Sequence, residues 1–312
     1  MDLGMKRIAG SLYRLAERLL PTPLLALFTL PAALLLGRRM ILRNSSVRMV
    51  DGLPPALRPK GRRWRWRARL RRLAVFMTQF LIYIPDRLRR PRWRRRCRLI
   101  GVKHLEEPLS RGQPVVLATV HYANLPMIYH WLRSFGYPVA FISARKKHQP
   151  AFRDRLDTLA DRANGMGGVA REIHEDELWD ARDFLVEAPG RVLGLVMDAA
   201  HKRLVAANGP GYSLTLSEGG LRLAMVAEAA VVPCLISSHR CLSSVIRFGR
   251  PVPPEDIADP RRHRKACEHI ARQLVPWIVQ QPEQCTRGLI EHFGPPAPHG
   301  DGASEPAPLP GE

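Results

Sequence analysis

The stretch Val116–Pro126, VLATVHYANLP, decides how the rest of the chain is read. The apolar run Pro114–Val120 predicts a buried strand leading into His121. Asn124 is a capping residue type, whose side-chain oxygen can accept an orphan amide of a first helical turn, so a helix is expected from Leu125. His121 then stands at the C-terminal end of a strand, where open α/β sheets place reactive groups. A neutral imidazole there can remove a proton from an acceptor hydroxyl, with a pKa suited to work near neutral pH. A purely structural histidine is the competing reading.

Outward from this stretch, further strand-like runs fall at 138–143, 191–197, 230–237 and 244–248. Helical periods lie near 125–135, 150–163, 174–188 and 217–229, with a final helix near 260–281. Alternating strands and helices predict an α/β sheet with helices on its faces. At 312 residues the chain suits one main domain with an N-terminal extension. The last nineteen residues, Gly294–Glu312, hold six Pro and four Gly and are expected to be a disordered tail.

The charge is the next informative feature. Of a formal +21, most comes from residues 58–98, where seventeen Lys or Arg face the single acid Asp86. Such a concentration calls for a polyanion, either nucleic acid or an anionic membrane surface. Two basic arms flank the apolar run Leu73–Ile84, and Trp64, Trp66 and Trp93 lie among the arginines, a mixture that suits a lipid headgroup interface. No recognisable nucleic-acid module accompanies it, so no nucleic acid is expected as partner. Residues 19–37 carry no charge and are bounded by Arg18 and Arg38-Arg39, which predicts a retained membrane anchor, spanning or lying in the interface.

Five cysteines, Cys97, Cys234, Cys241, Cys267 and Cys285, follow no paired spacing for zinc or a disulfide framework and read as reduced thiols. Asn164-Gly165-Met166-Gly167-Gly168 lacks the Lys-Ser/Thr of a nucleotide loop, and Ser213 and Ser217 lack a nucleophile-elbow sequence. Neither a metal nor a redox cofactor is expected.

The ordered set of motifs resembles the lipid A late acyltransferases, the lauroyl and myristoyl transferase family within the lysophospholipid acyltransferases. His121-Tyr122-Ala123-Asn124 matches the start of that family's His-x4-Asp/Glu motif, and Arg145 and Pro150, in ARKKHQP, resemble its Arg-rich segment after the second strand. Asp198, in GLVMDAA, lies where the family has an Asp after an apolar strand. Leu221–Ala224 followed by Ala230–Pro233 is similar to its late helix and Val-Val-Pro strand, and Arg39–Asn44 to the basic Leu-Arg-Asn stretch after its anchor.

The resemblance implies a central mixed sheet flanked by helices, with a membrane-associated N-terminal extension. In domains it implies an anchor region over 1–50, basic amphipathic interface helices over 51–98, an acyltransferase domain over 99–290 and a tail over 291–312. It also implies acyl carrier protein or acyl-CoA as donor, a lipid or glycolipid hydroxyl or amine as acceptor, and work at the cytoplasmic face of a bacterial inner membrane. His121 would be the general base, Asn124 would contact substrate, and the cluster Arg145, Lys146 and Lys147 is placed for phosphates of carrier or acceptor.

The departure is at position 126, where Pro126 replaces the family's carboxylate. In the family that acid orients the His and stabilises its imidazolium; loss of the equivalent acid in a Ser-His-Asp triad costs about 10⁴-fold in turnover. Either Asp198 or Glu218 substitutes for it, His121 acts alone and slowly, or the chain is an inactive member that binds acyl carriers or lipids as an accessory protein.

Overall fold

The computed structural model describes residues 50–59, 64, 94–143, 172–174, 178–199, 204–238 and 243–295. Among them the strands are β1 (Cys97–Ile100), β2 (Val115–Thr119), β3 (Val139–Ser143), β4 (Glu172–His174), β5 (Val192–Val196), β6 (Leu204–Gly209), β7 (Tyr212–Ser217), β8 (Ala230–Ser238), β9 (Ser244–Phe248) and β10 (Phe293–Gly294). The α-helices are α1 (Lys103–Ser110), α2 (Met127–Ser134), α3 (Leu178–Val186), α4 (Gly219–Val226), α5 (Pro254–Ala258), α6 (His263–Gln280) and α7 (Arg287–Glu291).

Seven strands form one sheet in the order β1-β9-β8-β2-β5-β3-β4, and β10-β7-β6 form a second, antiparallel one. Every neighbouring pair in the large sheet is parallel except β8 with β9, so the sheet is mixed. The central strands β2, β5 and β8 are mostly apolar because both of their faces are covered. All five residues of β2 are buried. Val116, Ala118 and Val120 enter one core cluster with Leu214 of the small sheet and Ile270 and Leu274 of α6. Their neighbours Val115 and Leu117 enter another with Leu105 of α1 and Met127 and Trp131 of α2. Successive side chains of a strand point to opposite faces, so one strand divides its residues between two helical layers. The layer under α6 is the larger: Ala266, Ile270, Ala271, Leu274 and Ile278 recur at helical spacing and all are buried.

The structure corrects the expected helix start after His121. The helix begins at Met127 rather than Leu125, with Pro126 at its N-cap and no side-chain cap bond. Asn124 is therefore not the cap: its backbone carbonyl, not its side chain, accepts the Met127 amide at 2.9 Å. The reason lies one residue earlier. Ala123 is in the left-handed region, at φ 49°, and its amide donates to the Gln284 carbonyl at 2.8 Å, which turns the chain away from the helical path. Pro126, whose fixed φ is compatible with a helix start and whose missing amide is no loss there, then admits α2. The helical period near 174–188 is also shorter than expected, because residues 172–174 form edge strand β4 before α3 begins.

The anchor segment 19–37, most of the arginine arms, the helical period near 150–163, Arg145, Lys146, Lys147 and residues 296–312 of the expected tail lie outside the described residues; the start of that tail is ordered, with Phe293–Gly294 forming β10. Among the described residues no helix is long and apolar enough to cross a membrane.

Candidate active site

The site follows from strand register. Strands β2 and β5 are adjacent and parallel, with Thr119 opposite Val196. His121 and Asp198 each lie two residues beyond that pair, and the Met197 amide, donating to the Thr119 carbonyl at 2.7 Å, carries the ladder past the strand ends. The two residues therefore emerge side by side at the C-terminal edge of the sheet. Asp198 Oδ1 accepts from the His121 backbone amide at 2.8 Å and lies 3.1 Å from the ring Nδ1. A carboxylate oxygen is an acceptor, so Nδ1 carries the hydrogen and Nε2 keeps its lone pair.

Exposure differs sharply across this pair. The Asp198 side chain is fully buried, whereas that of His121 is 44% exposed. No described residue bonds Nε2. The imidazole pKa is raised from the ordinary 6.5, first by the hydrogen bond to Asp198 and then by that residue's charge, while partial burial pulls it down. The imidazole thus has one nitrogen on a buried acid that raises its proton affinity and no described partner on the other.

The backbone around His121 is held as firmly as its ring. Thr286 donates its hydroxyl to the His121 carbonyl at 2.7 Å, and its amide reaches the same oxygen at 3.3 Å. The Tyr122 hydroxyl donates to the Gln281 carbonyl at 2.8 Å, and Tyr122 forms an isolated bridge with Cys285. Gln284, fully buried, accepts from the Ser238 amide at 2.8 Å and donates to the Ser238 carbonyl at 2.9 Å. A short segment after α6 thus ties the His121 loop to the end of β8.

The other candidates fall in different places. Glu218 precedes α4 and pairs with Arg222 at 3.4 Å. Its charge also acts on the Cys267 thiol of α6, so it is engaged elsewhere and has no described contact with His121. Asn124 is buried with its Nδ2 unpartnered, and Thr119 Oγ1 and Asp198 Oδ2 are likewise buried without partners. The edge of the sheet therefore keeps unused donors and acceptors, the exception to the rule that buried polar groups are satisfied. Burial pushes the thiols of Cys97 and Cys234 far up and that of Cys267 to about 12, so these three are core residues and not nucleophiles. Gly220 lets α4 come close to β5: a Cβ there would meet Leu195 Cδ2 at 2.8 Å and Met197 Sδ at 3.0 Å.

No protein-family model matches the chain, and no curated protein matches it. Among solved structures it is similar to the crystal structure of the 1-acyl-sn-glycerophosphate (LPA) acyltransferase, PlsC, from Thermotoga maritima. That likeness has 13% identity over 69% of this chain and 86% of that chain, with a TM-score of 0.38.

Proposed function

We propose that the chain is an acyltransferase, with His121 as general base, that moves a fatty acyl group from an acyl carrier protein or acyl-CoA thioester to a lipid or glycolipid hydroxyl or amine. The observation that carries this reading is the buried Asp198 carboxylate 3.1 Å from Nδ1 of a half-exposed imidazole whose Nε2 is free of described partners. Nε2 takes the acceptor's proton as its oxygen or nitrogen attacks the thioester carbon. The tetrahedral oxyanion then collapses, the C–S bond breaks, and the imidazolium returns the proton to the leaving thiolate. Asp198 holds the ring in the required tautomer and stabilises the imidazolium.

In this reading Asp198 does from the end of β5 what a carboxylate at position 126 would do from α2. Asn124, whose side-chain amide is buried and without a described partner, is assigned to substrate contact. Arg145, Lys146 and Lys147 are assigned to phosphates of the donor or acceptor. Residues 19–37 and the arginine arms place the catalytic domain at the cytoplasmic face of a bacterial inner membrane. Transfer is direct, without metal or redox cofactor.

The test is thioester consumption with full-length protein. His121→Ala should lower acyl transfer by about 10²–10⁴-fold with the fold intact. Equal rates in wild type and variant would remove the base and favour the accessory, lipid-binding reading that Pro126 suggests.

A further inference from the structure

The segment after α6 holds the four-residue loop His121–Asn124 at three of its residues. Thr286 bonds the His121 carbonyl through both hydroxyl and amide, the Tyr122 hydroxyl donates to the Gln281 carbonyl, and the left-handed Ala123 donates to Gln284; the two main-chain bonds make the bridge between Tyr122 and Cys285. In sequence Thr286 is 165 residues from His121. Its hydroxyl has two tasks: it donates to the His121 carbonyl at 2.7 Å and accepts the Leu289 amide at 3.2 Å as the N-cap of α7. Gln284 fastens the same segment to β8 through both main-chain groups of Ser238. A non-glycine residue at positive φ persists only where its surroundings hold it, and here the holder of Ala123 is this segment.

We infer that Thr286, supported by Gln284, is a positioning residue: it fixes the backbone of His121 so that the imidazole stays in line with Asp198. The inference rests on the base reading of His121, because without it the clamp would hold an idle side chain. The geometry needs both anchors. Asp198 reaches His121 from one side through a single oxygen, which takes both the main-chain amide and Nδ1. Without the Thr286 hydroxyl only the longer amide bond, at 3.3 Å, remains on the His121 carbonyl; ψ of His121 can then change and its Cα, from which both the amide and the ring reach Asp198, can shift. Misplacement of about 1 Å costs about 10²-fold in rate.

The experiment uses full-length protein and reads the His121 imidazole titration by NMR alongside thioester turnover. Asp198 is the titratable group among the described residues whose charge acts on this ring, so the titration reports their alignment. Thr286→Val is expected to lower turnover about 10- to 100-fold and to move the His121 midpoint down towards 6.5. Thr286→Ser, which keeps the hydroxyl, is expected to restore both. A Thr286→Val protein with a lower unfolding midpoint but the wild-type His121 titration would overturn the proposal and leave Thr286 as a helix cap alone. If Thr286→Val fails to fold, Thr286→Ala, which removes the same hydroxyl without adding a second methyl group, is read in the same way. The two failures separate cleanly: undiminished turnover in His121→Ala removes the base, whereas the titration tests the clamp whatever the reaction.

Discussion

At the scale of single residues, the site turns on which carboxylate serves His121. Asp198 Oδ1 already occupies the position beside Nδ1, and a second acid at 126 would compete for it or repel it. Pro126→Glu is therefore expected to leave turnover level or lower it, and Asp198→Asn to lower it by about 10²–10⁴-fold in the same assay. The pH dependence has a definite sign. In the proposed mechanism the reactive form is neutral, and the folded pKa is raised, so the rate should climb with pH through a midpoint above 6.5. Asp198→Asn should draw that midpoint down. For folding the order reverses: the raised pKa means the pair contributes stability below the unfolded value of 6.5, and this is lost as pH rises through the folded midpoint. A rate limb unmoved by Asp198→Asn would show that the ring's proton affinity is set elsewhere.

At the scale of elements, what the sequence made legible and what it hid have a common physical basis. The runs that became β2, β5 and β8 are buried enough to be written in nearly continuous apolar residues, and His121 and Asp198 stand just beyond two of them. The sequence left Asp198 and Glu218 as alternative acids; that Asp198 is the one beside His121 depends on the register of Thr119 with Val196, a pairing between segments 77 residues apart. The hairpin β6–β7 was missed since Ala206-Ala207-Asn208-Gly209 carries little apolar alternation, and three-residue β4 is too short to show a period. Gln284 and Thr286 gave no signal at all, being ordinary polar residues in a connection. One small turn has a clear consequence for the sheet's outer edge. Gly101 joins β1 to α1 at φ +72°, and a Cβ there would stand 2.4 Å from the Phe248 carbonyl oxygen of β9. Main chain cannot move aside as a side-chain end can, so Gly101→Ala should lower stability by about 1–3 kcal/mol, read from denaturant unfolding. Because this edge is three strands from β2, turnover per folded molecule should be unchanged.

At the scale of the whole molecule, a net charge of +21 with seventeen basic residues and one acid between 58 and 98 dominates how the chain meets a surface. Arg94, Arg95 and Arg98 of this stretch are exposed where they enter and run along edge strand β1. A phosphate-bearing plane attracts such a cluster by about 1 kcal/mol for each Lys or Arg close to it, with a reach of about one Debye length. Charge alone therefore predicts binding to vesicles containing anionic phospholipid, weak binding to neutral ones, and release as ionic strength rises. If the apolar segment 19–37 is the anchor proposed, it adds a contribution that salt does not screen, since burying apolar area in lipid depends on neither sign nor distance of charge. Full-length protein in a vesicle flotation assay should accordingly show two components: an affinity that declines between about 0.05 and 0.5 M salt, and a residue that stays bound at the upper end. Complete release at high salt would remove the anchor and leave a peripheral protein. Salt-sensitive binding to duplex DNA that outcompetes anionic vesicles would assign the arginines to nucleic acid and detach the charge from the lipid chemistry proposed for His121.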